Sequence, residues 1–344
     1  MREKELARYL SSYAGPPLRL MEVCGTHTSS LYRSGIRQIL SPKITLLSGP
    51  GCPVCVTPTA YIDKLVSYSM KPQHRVMAFG DLLAVPGSRM SLAGARDRGG
   101  QADFFYNPED VLAMAERDRT TTFVLAAVGF ETTAPVWADL IKRVWEEKIP
   151  NIRFLTALKT MPQAMEILAG DPHIDGFLCP GHVAVITGSR PFRKLAEDSG
   201  KPMVIGGFTP PLLLRALARL VLEASRKQGG VWNEYPSVVR EEGNRRALSL
   251  MADVFEEGDA VWRGLGNIKG SGLYLSAAYA GLDAGSRNLT EDIMPVGCCC
   301  AQVLTGRMTP GDCPCFGRTC TPDHPVGACM VSSEGACSIT YRGG

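Results

Sequence analysis

The sequence predicts an α/β fold in which two parallel-sheet domains precede a cysteine-rich C-terminal domain. Short apolar runs that end in glycine or another turn-compatible residue alternate with longer helical patterns, which is typical of parallel sheets with crossover helices. The chain of 344 residues exceeds the length that one core usually serves, and 45% of its residues are hydrophobic. Eight of its twelve cysteines fall between Cys298 and Cys337. We therefore expect two or three domains, the last of them organised by cysteines.

Eight strands are predicted, in two sets of four. The first set is assigned to a domain over residues 1–120, and its strands are at 20–25, 44–49, 75–80 and 103–106. The second set is assigned to a domain over residues 121–235, and its strands are at 122–129, 153–158, 175–181 and 201–207. Equal sets predict two similar α/β domains, which a pseudo-two-fold axis could relate.

Helical patterns fill the intervals between the predicted strands. They lie near 58–70, 135–147, 161–169, 191–199 and 211–227. Thr57 is expected to cap the first of these helices, with Pro58 in its first turn. After Gly230 the strand signal fades, and an amphipathic helical stretch over 238–257 leads into the third domain, residues 236–344. Because no low-complexity linker intervenes, the domains should pack closely around a cleft that opens only modestly.

The charge pattern argues against a nucleic-acid or membrane role. The net charge is only +3, and acidic and basic residues are interspersed. The N-terminal segment is charged, and the most apolar later segment is interrupted by Arg215 and Arg219. We expect a cytoplasmic protein. In that reducing compartment, cysteines serve metal binding or redox chemistry more often than structural disulfides.

Thiols and an imidazole follow the first two predicted strands. Cys24 and His27 follow the first strand, and Cys52 and Cys55 follow the second, directly ahead of a helix. Functional groups of open α/β sheets gather at the carboxyl ends of the strands. If the two strands are neighbours, three thiols and one imidazole converge on one edge.

Two interpretations of the C-x-x-C pair stay open. Two-residue spacing beside a helix N-terminus favours a reactive thiolate and a reversible disulfide. Cys24 and His27 could instead complete a zinc site with Cys52 and Cys55. The tight turn built by Pro50, Gly51 and Pro53 favours thiol or iron chemistry.

Three further polar residues follow predicted strands. Glu131 and His182 lie where loops of the second domain would direct them across the cleft towards Cys24, and Asp81 has a similar position in the first domain. Each could equally be structural. Thr133 fits a helix cap, and Cys179, inside an apolar run, is expected to be a buried small hydrophobe.

The C-terminal segment has too few apolar residues to fold around a core of its own. Its cysteines are Cys298, Cys299, Cys300, Cys313, Cys315, Cys320, Cys329 and Cys337. A metal centre should order it, and four thiolates suit zinc or an iron-sulfur cluster. Eight cysteines exceed one four-thiolate site, so some are expected to do redox work.

Sequence blocks spread over nearly the whole chain resemble the HypD family of hydrogenase maturation proteins. The blocks are CGTHT (24–28), GPGCPVCVTP (49–58), FGD (79–81), VPGS (85–88), GFETTAP (129–135), PGHV (180–183), WRGLG (262–266) and CMVSSEGAC (329–337). The resemblance implies two Rossmann-like domains and a third with a 4Fe-4S cluster beside a disulfide, similar to ferredoxin:thioredoxin reductase.

The resemblance also implies roles for individual cysteines. The cluster ligands would be Cys298, Cys313, Cys320 and Cys337, and the redox pair beside them would be Cys300 and Cys329. Cys24 would hold a nascent iron, with Cys52 and Cys55 as an exchangeable pair near it. The implied partners are the small chaperone HypC and the cyanide donor HypE. The product, iron with cyanide and carbon monoxide ligands, would pass to the large subunit of a nickel-iron hydrogenase.

The chain departs from the family pattern at four positions. Ser29 stands where the family commonly has a second histidine, and Thr209 stands in place of the glutamate of GFEP. Cys299 and Cys315 are additional to the family's set.

Three classes of function compete for this chain: an assembly scaffold rather than a turnover enzyme, a stand-alone iron-sulfur disulfide reductase, and a zinc-stabilised binding module. The thiol at Cys24 favours the scaffold, because a reductase needs no third thiol beside its dithiol.

Overall fold

The fold is taken from a computed structural model that describes residues 3–343. Eleven strands are found in this part of the chain: β1 (Leu18–Glu22), β2 (Ile44–Ser48), β3 (His74–Ala78), β4 (Ala102–Phe104), β5 (Thr122–Gly129), β6 (Ile152–Lys159), β7 (Gly176–Pro180), β8 (Pro202–Gly206), β9 (Gly230–Asn233), β10 (Phe255–Trp262) and β11 (Gly266–Leu275). All eight strands predicted from the sequence are present. Nearly all residues of the inner strands β1, β5, β6, β7 and β8 are buried, as strands covered on both faces require, whereas Phe104 of the edge strand β4 is exposed.

Helices connect and cover the strands. They are α1 (Glu3–Ser11), α2 (Gly25–Arg33), α3 (Ile36–Ile39), α4 (Thr59–Ser69), α5 (Leu92–Arg96), α6 (Asp110–Arg117), α7 (Ala134–Glu146), α8 (Met161–Ala169), α9 (Gly181–Thr187), α10 (Arg190–Ser199), α11 (Pro210–Ser225), α12 (Arg245–Val254), α13 (Cys300–Leu304), α14 (Ala328–Val331) and α15 (Ala336–Gly343). Short 3₁₀ helices occupy Gly80–Ala84, Ala277–Leu282 and Pro310–Asp312. The five predicted helices are confirmed as α4, α7, α8, α10 and α11.

Two helix starts test the predicted caps. Pro58, not Thr57, is the residue before α4, and the Thr57 hydroxyl donates to the Pro53 carbonyl at 2.9 Å. The predicted cap at Thr57 is therefore wrong, because its side chain satisfies the preceding turn instead. Thr133 does precede α7, although its side chain makes no capping hydrogen bond.

The strands form two mostly parallel sheets whose membership differs from the predicted sets. The first sheet has the order β2-β1-β7-β8-β9 and is parallel throughout. The second sheet has the order β10-β11-β6-β5-β3-β4, in which β10 and β11 are antiparallel additions. The assignment of each set of four strands to its own sheet is wrong, and the boundary at residues 120 and 121 does not separate the sheets. Strand pairing here joins segments distant in sequence, as where Leu20 lies opposite Gly176.

The region after Gly230 contains three strands, so the fading strand signal was misleading. The predicted helix over 238–257 is confirmed only as α12, which Asn244 caps by accepting from the Ala247 N–H. From Phe255 the chain turns into the hairpin of β10 and β11, which pairs with β6. Towards the C-terminal end of β10, Ala260 and Trp262 are buried, and Val261 between them is half-buried.

Residues of both sheets share one buried cluster. Leu47 from the first sheet and Val76 and Val124 from the second belong to it, together with Cys300 and Cys329 of the C-terminal segment. Close packing of the parts therefore agrees with the absence of a linker in the sequence. Within residues 3–343, none of the helices combines the length and the apolarity needed to cross a bilayer.

Candidate functional site

The carboxyl edge of the first sheet brings the predicted thiols together. β1 and β2 are parallel neighbours in register from Leu18 opposite Ile44 to Glu22 opposite Ser48, so the segments that follow them start side by side. A Cβ placed on Gly51 would lie 2.5 Å from both N and Cα of Cys24. Only a glycine allows this approach, and the predicted convergence of the two segments is confirmed.

Cys24 is a buried free thiol that immediately precedes α2. Burial raises its pKa to about 12, and the backbone N–H groups of His27 and Thr26 oppose that rise. The thiol is therefore protonated at neutral pH in the isolated chain. A metal that binds it must displace the proton, which couples metal affinity to pH.

Cys52 and Cys55 form a disulfide with their Cα atoms 5.3 Å apart. They lie in the turn ahead of α4, which begins at Thr59, so the predicted position ahead of a helix is confirmed. The Cys55 sulfur lies 3.8 Å from the carbonyl oxygen of Ala328, the neighbour of Cys329. This places the disulfide against the C-terminal segment.

A stack of three rings lies at the same edge. Phe208 stacks on His27 with centroids 4.5 Å apart and on His182 with centroids 3.7 Å apart. His182 thus follows β7 in the same sheet as Cys24, instead of facing Cys24 across a cleft from another domain. His27 is buried, its Nε2 lies 3.2 Å from the Gly206 carbonyl, and its Nδ1 has no partner among residues 3–343. Burial lowers its pKa to about 4, so the ring is neutral at pH 7.

Glu131 and Asp81 follow strands of the second sheet. One oxygen of the buried Glu131 carboxyl accepts from the Met161 N–H at 2.8 Å, at the start of α8. The other oxygen has no partner within the described part of the chain. Asp81 accepts from the Ser332 hydroxyl at 3.0 Å, which ties the loop after β3 to the C-terminal segment. The roles of both carboxylates towards Cys24 stay predictions.

The carboxyl group of Glu131 should make stability depend on pH. Burial raises its pKa from 4.5 to about 7, so the folded chain binds the proton more tightly than the unfolded chain does. Its contribution to stability is therefore present below pH 4.5 and is lost as the pH rises towards 7. As the pH is raised from about 5 to about 8, the free energy of unfolding of Glu131→Gln should rise relative to that of the wild type by up to about 3 kcal/mol. Thermal unfolding of both proteins at these two pH values checks this, and an unchanged difference would contradict it.

Sequence reasoning missed two carboxylates beside Cys24. Glu22 is buried inside β1, accepts from the Cys24 N–H at 3.2 Å and from the Thr28 hydroxyl, and has its pKa raised by burial to about 7. Glu334 accepts from the Thr26 hydroxyl at 3.3 Å. The available signal for Glu22 was an acid among the apolar residues Leu20, Met21 and Val23.

All eight cysteines of the C-terminal segment surround one small cavity. The lining cysteines are Cys298, Cys299, Cys300, Cys313, Cys315, Cys320, Cys329 and Cys337. The sulfurs of Cys300 and Cys329 are 2.7 Å apart, which brings the predicted redox pair together. The predicted burial of Cys179, which lies elsewhere in the core, is confirmed.

The four predicted cluster ligands fit an iron-sulfur cluster by their chemistry. Cys298, Cys313, Cys320 and Cys337 line the cavity from four separate segments, and burial together with the neighbouring thiols raises the pKa of Cys337. Crowded thiols of this kind are the donor set that iron-sulfur centres use. Among residues 3–343 no group of three or more His, Cys, Asp or Glu side chains is arranged around a single-ion site. The ligand assignment stays a prediction.

Comparison with known proteins shows the family. The profile described as the hydrogenase formation hypA family, under the name HypD, matches residues 2–344. The hydrogenase maturation factor HypD of Rhodobacter capsulatus is 40% identical over 98% of this chain and 93% of that protein. The HypD of Escherichia coli K12 is 38% identical over 98% and 92%, and that of Cupriavidus necator is 34% identical over 100% and 96%. The chain therefore belongs to the HypD family of hydrogenase maturation factors.

Proposed function

We propose that this chain is the scaffold on which an iron ion receives cyanide and carbon monoxide ligands for a nickel-iron hydrogenase. The observation that carries the proposal is the free thiol of Cys24 against the turn that holds the Cys52–Cys55 disulfide. A soft thiolate suits low-spin iron with strong-field ligands. The iron is the cargo of this site, not a resident cofactor.

Cys24 is the sulfur best placed to hold the cargo. Cys52 and Cys55 are bonded to each other, which leaves neither free as a thiolate while the disulfide is closed. His27 lies one turn along α2, and its neutral ring can orient the iron's ligands or donate a hydrogen bond to cyanide. Three further residues would act on the proposed iron from farther away than His27: Asp81, Glu131 and His182.

Partners complete the proposed site. A small chaperone of the HypC type would bring a second thiolate, so that iron sits between two proteins and leaves when they separate. A HypE-type protein would deliver the cyanide. The hydrogenase large subunit would then receive the finished iron from the chaperone.

The C-terminal segment would supply electrons. A 4Fe-4S cluster held by Cys298, Cys313, Cys320 and Cys337 would provide single electrons that a sulfur pair beside it can accumulate. Cys300 and Cys329 are that pair, with sulfurs 2.7 Å apart. Cys52 and Cys55 lie within reach of the same segment through the contact with Ala328.

Infrared spectroscopy tests the scaffold function. The chain copurified with its small partner should show cyanide and carbonyl stretching bands, and the chain alone should lack them. A stand-alone disulfide reductase is the second candidate, and the contact between the Cys55 sulfur and Ala328, the neighbour of Cys329, favours it. It would turn over a protein disulfide without a partner and show no such bands in any complex.

The relay between sulfur pairs has its own expected result. Thiol–disulfide exchange would move two electrons and two protons from Cys300 and Cys329 to the Cys52–Cys55 disulfide, opening one disulfide as the other closes. Alkylation and mass spectrometry across a series of redox poises should therefore find the Cys52–Cys55 disulfide at some poises and the Cys300–Cys329 disulfide at others. If all four of these thiols stay free at every poise, the relay is eliminated.

A further inference from the structure

An irregular arm of the chain leads into the predicted cluster ligand Cys298. The arm comprises residues 289–297, which form neither helix nor strand. Leu289 and Met294 are partly buried against the shared core, whereas Val296 is 99% exposed. Apolar packing thus holds the arm only in part, and polar contacts are needed to fix the section that precedes Cys298.

The middle of the arm lies across the start of α4. The Thr59 N–H donates to the Asp292 carboxylate at 3.2 Å, and the Ala60 N–H donates to the Glu291 carbonyl at 3.0 Å. The first N–H groups of a helix have no partner within the helix, and Pro58, which precedes α4, makes no side-chain cap. The arm therefore caps α4 from a distant part of the chain. The helix dipole also favours a carboxylate at this position.

The side chain of Thr59 adds a second connection to the arm. Its hydroxyl is buried, accepts from the Ile293 N–H at 2.8 Å and donates to the Glu291 carbonyl at 3.3 Å. The second oxygen of Asp292 accepts from the Gly264 N–H at 3.1 Å. Three consecutive residues of the arm are thus bonded to the start of α4 or to the turn after β10.

The capped start of α4 is continuous with the turn that carries the disulfide. Within this turn the Val56 N–H donates to the Cys52 carbonyl at 3.3 Å, and the Thr57 hydroxyl donates to the Pro53 carbonyl at 2.9 Å. Thr59 follows two residues after Thr57. A displacement of the start of α4 would therefore move the backbone that holds Cys52.

Asp292 also reaches the disulfide turn through Arg263. The Asp292 carboxylate lies 3.6 Å from Nε of the buried Arg263. That Nε donates to the Thr57 carbonyl at 2.8 Å, and the Arg263 backbone N–H donates to the Val56 carbonyl at 2.8 Å. The arm and the disulfide turn are thus joined by two sets of hydrogen bonds.

We propose that the arm couples the two redox centres: a metal centre bound at Cys298 keeps residues 291–293 docked on α4, and the docked arm holds Cys52 and Cys55 in the geometry of the closed disulfide. The inference rests on the proposed function, because it requires both the cluster and the exchangeable disulfide. It adds the means by which the presence of the first stabilises the second.

Two physical arguments support this coupling. A segment with little apolar core is ordered by its metal, so without the metal the arm loses its anchor at Cys298. Two sulfurs held in a rigid turn have a higher effective concentration towards each other than two sulfurs in a loose turn. Docking of the arm therefore stabilises the disulfide against reduction. By linkage, the closed disulfide favours the docked arm to the same extent.

Hydrogen exchange of single amides tests the docking of the arm. The N–H groups of Thr59 and Ala60 bond to the arm and not to α4, so their exchange rates report whether the arm is docked. In full-length protein that carries the cluster, both should exchange about tenfold more slowly than in the cluster-free variant Cys313→Ala. Leu65, inside α4, should exchange equally in the two proteins. Equal rates at Thr59 and Ala60 with and without the cluster would overturn the inference.

The reduction potential of the Cys52–Cys55 disulfide tests the second half of the coupling. Alkylation and mass spectrometry in dithiothreitol buffers measure it, and each reduction moves two electrons and two protons from dithiothreitol to the two sulfurs. Loss of the cluster should raise the potential by about 30 mV, which corresponds to a tenfold smaller equilibrium constant for disulfide formation. Asp292→Ala should raise the potential of the cluster-loaded protein in the same direction, because the arm then loses its carboxylate contacts.

Two further substitutions control this comparison. Glu291→Gln removes the neighbouring charge but keeps the backbone carbonyl that Ala60 uses, so its potential and exchange rates should equal those of the wild type. Thr59→Ala covers the case in which Asp292→Ala does not fold, since it removes the hydroxyl bonded to Ile293 from the other side of the contact. It should raise the potential as well, and Thr59→Ser, which keeps the hydroxyl, should restore the wild-type value.

Wild-type potentials in both Asp292→Ala and Thr59→Ala would overturn the inference. So would equal shifts in Thr59→Ala and Thr59→Ser, because the hydroxyl contact with the arm would then be irrelevant. Failure of the proposed function is distinguishable from these results. Metal analysis would find no iron and sulfide in the wild type, or alkylation would find no Cys52–Cys55 disulfide in any buffer, and the inference would fall with it.

Discussion

Cys24→Ala should abolish the cyanide and carbonyl infrared bands of the complex with the small partner. The substitution removes the free thiol that follows β1, and the two cysteines that follow the neighbouring strand β2 are closed in the Cys52–Cys55 disulfide. Low-spin iron then loses the thiolate that is proposed to hold it. Absorption from the C-terminal cluster should persist, because its predicted ligands lie on other segments.

The matched control for this experiment is Cys179→Ala. Cys179 is also a buried free cysteine of the first sheet, but it lies in the apolar interior of β7. Each substitution deletes one buried sulfur, so both should cost a similar amount of stability, about 1 kcal/mol. Bands retained in Cys24→Ala would place the iron elsewhere. Bands lost in both variants would trace the effect to stability and not to ligation.

Local patterns in the sequence were enough to locate the strands but not to pair them. Each buried strand is a short apolar run with a turn at its end, and that pattern is visible without knowledge of neighbours. Pairing depends on packing between distant segments, and nothing near Leu20 in the sequence indicates Gly176. The two-domain interpretation assumed that consecutive strands stay together, whereas the chain passes between the sheets after β2, β6 and β9.

The candidate site, like the fold, could be predicted only in part from the sequence. Cysteines at strand ends indicate a functional site by their residue type and their position. Cys24, Cys52 and Cys55 could therefore be predicted to lie together once their two strands were assumed to be neighbours. Glu22 was missed because it looks like one residue of an apolar strand, and its burial beside Cys24 appears only in three dimensions. Glu334 was missed because its partner, Thr26, lies 308 residues away along the chain.

Cys313→Ala should remove the C-terminal cluster. Purified anaerobically, the wild type should be brown and contain iron and acid-labile sulfide, whereas the variant should be nearly colourless with both contents close to zero. The reason is that a four-thiolate site loses a ligand, and the segment has little apolar core to hold it without the metal. Stoichiometric zinc without sulfide in the wild type would instead support a zinc-stabilised module.

Cys315→Ala is the matched control, because Cys315 lies two residues away and also lines the cavity. Its sulfur donates to the Gly297 carbonyl at 3.3 Å and is not among the predicted ligands, so the variant should keep the cluster. Cys299 is a neighbour that could replace a lost ligand, since its thiol contacts that of Cys313. If Cys313→Ala keeps the cluster and the double variant with Cys299→Ala loses it, Cys299 can serve as the fourth ligand. If the double variant also keeps it, the ligand set must be sought among the remaining six cysteines of the cavity.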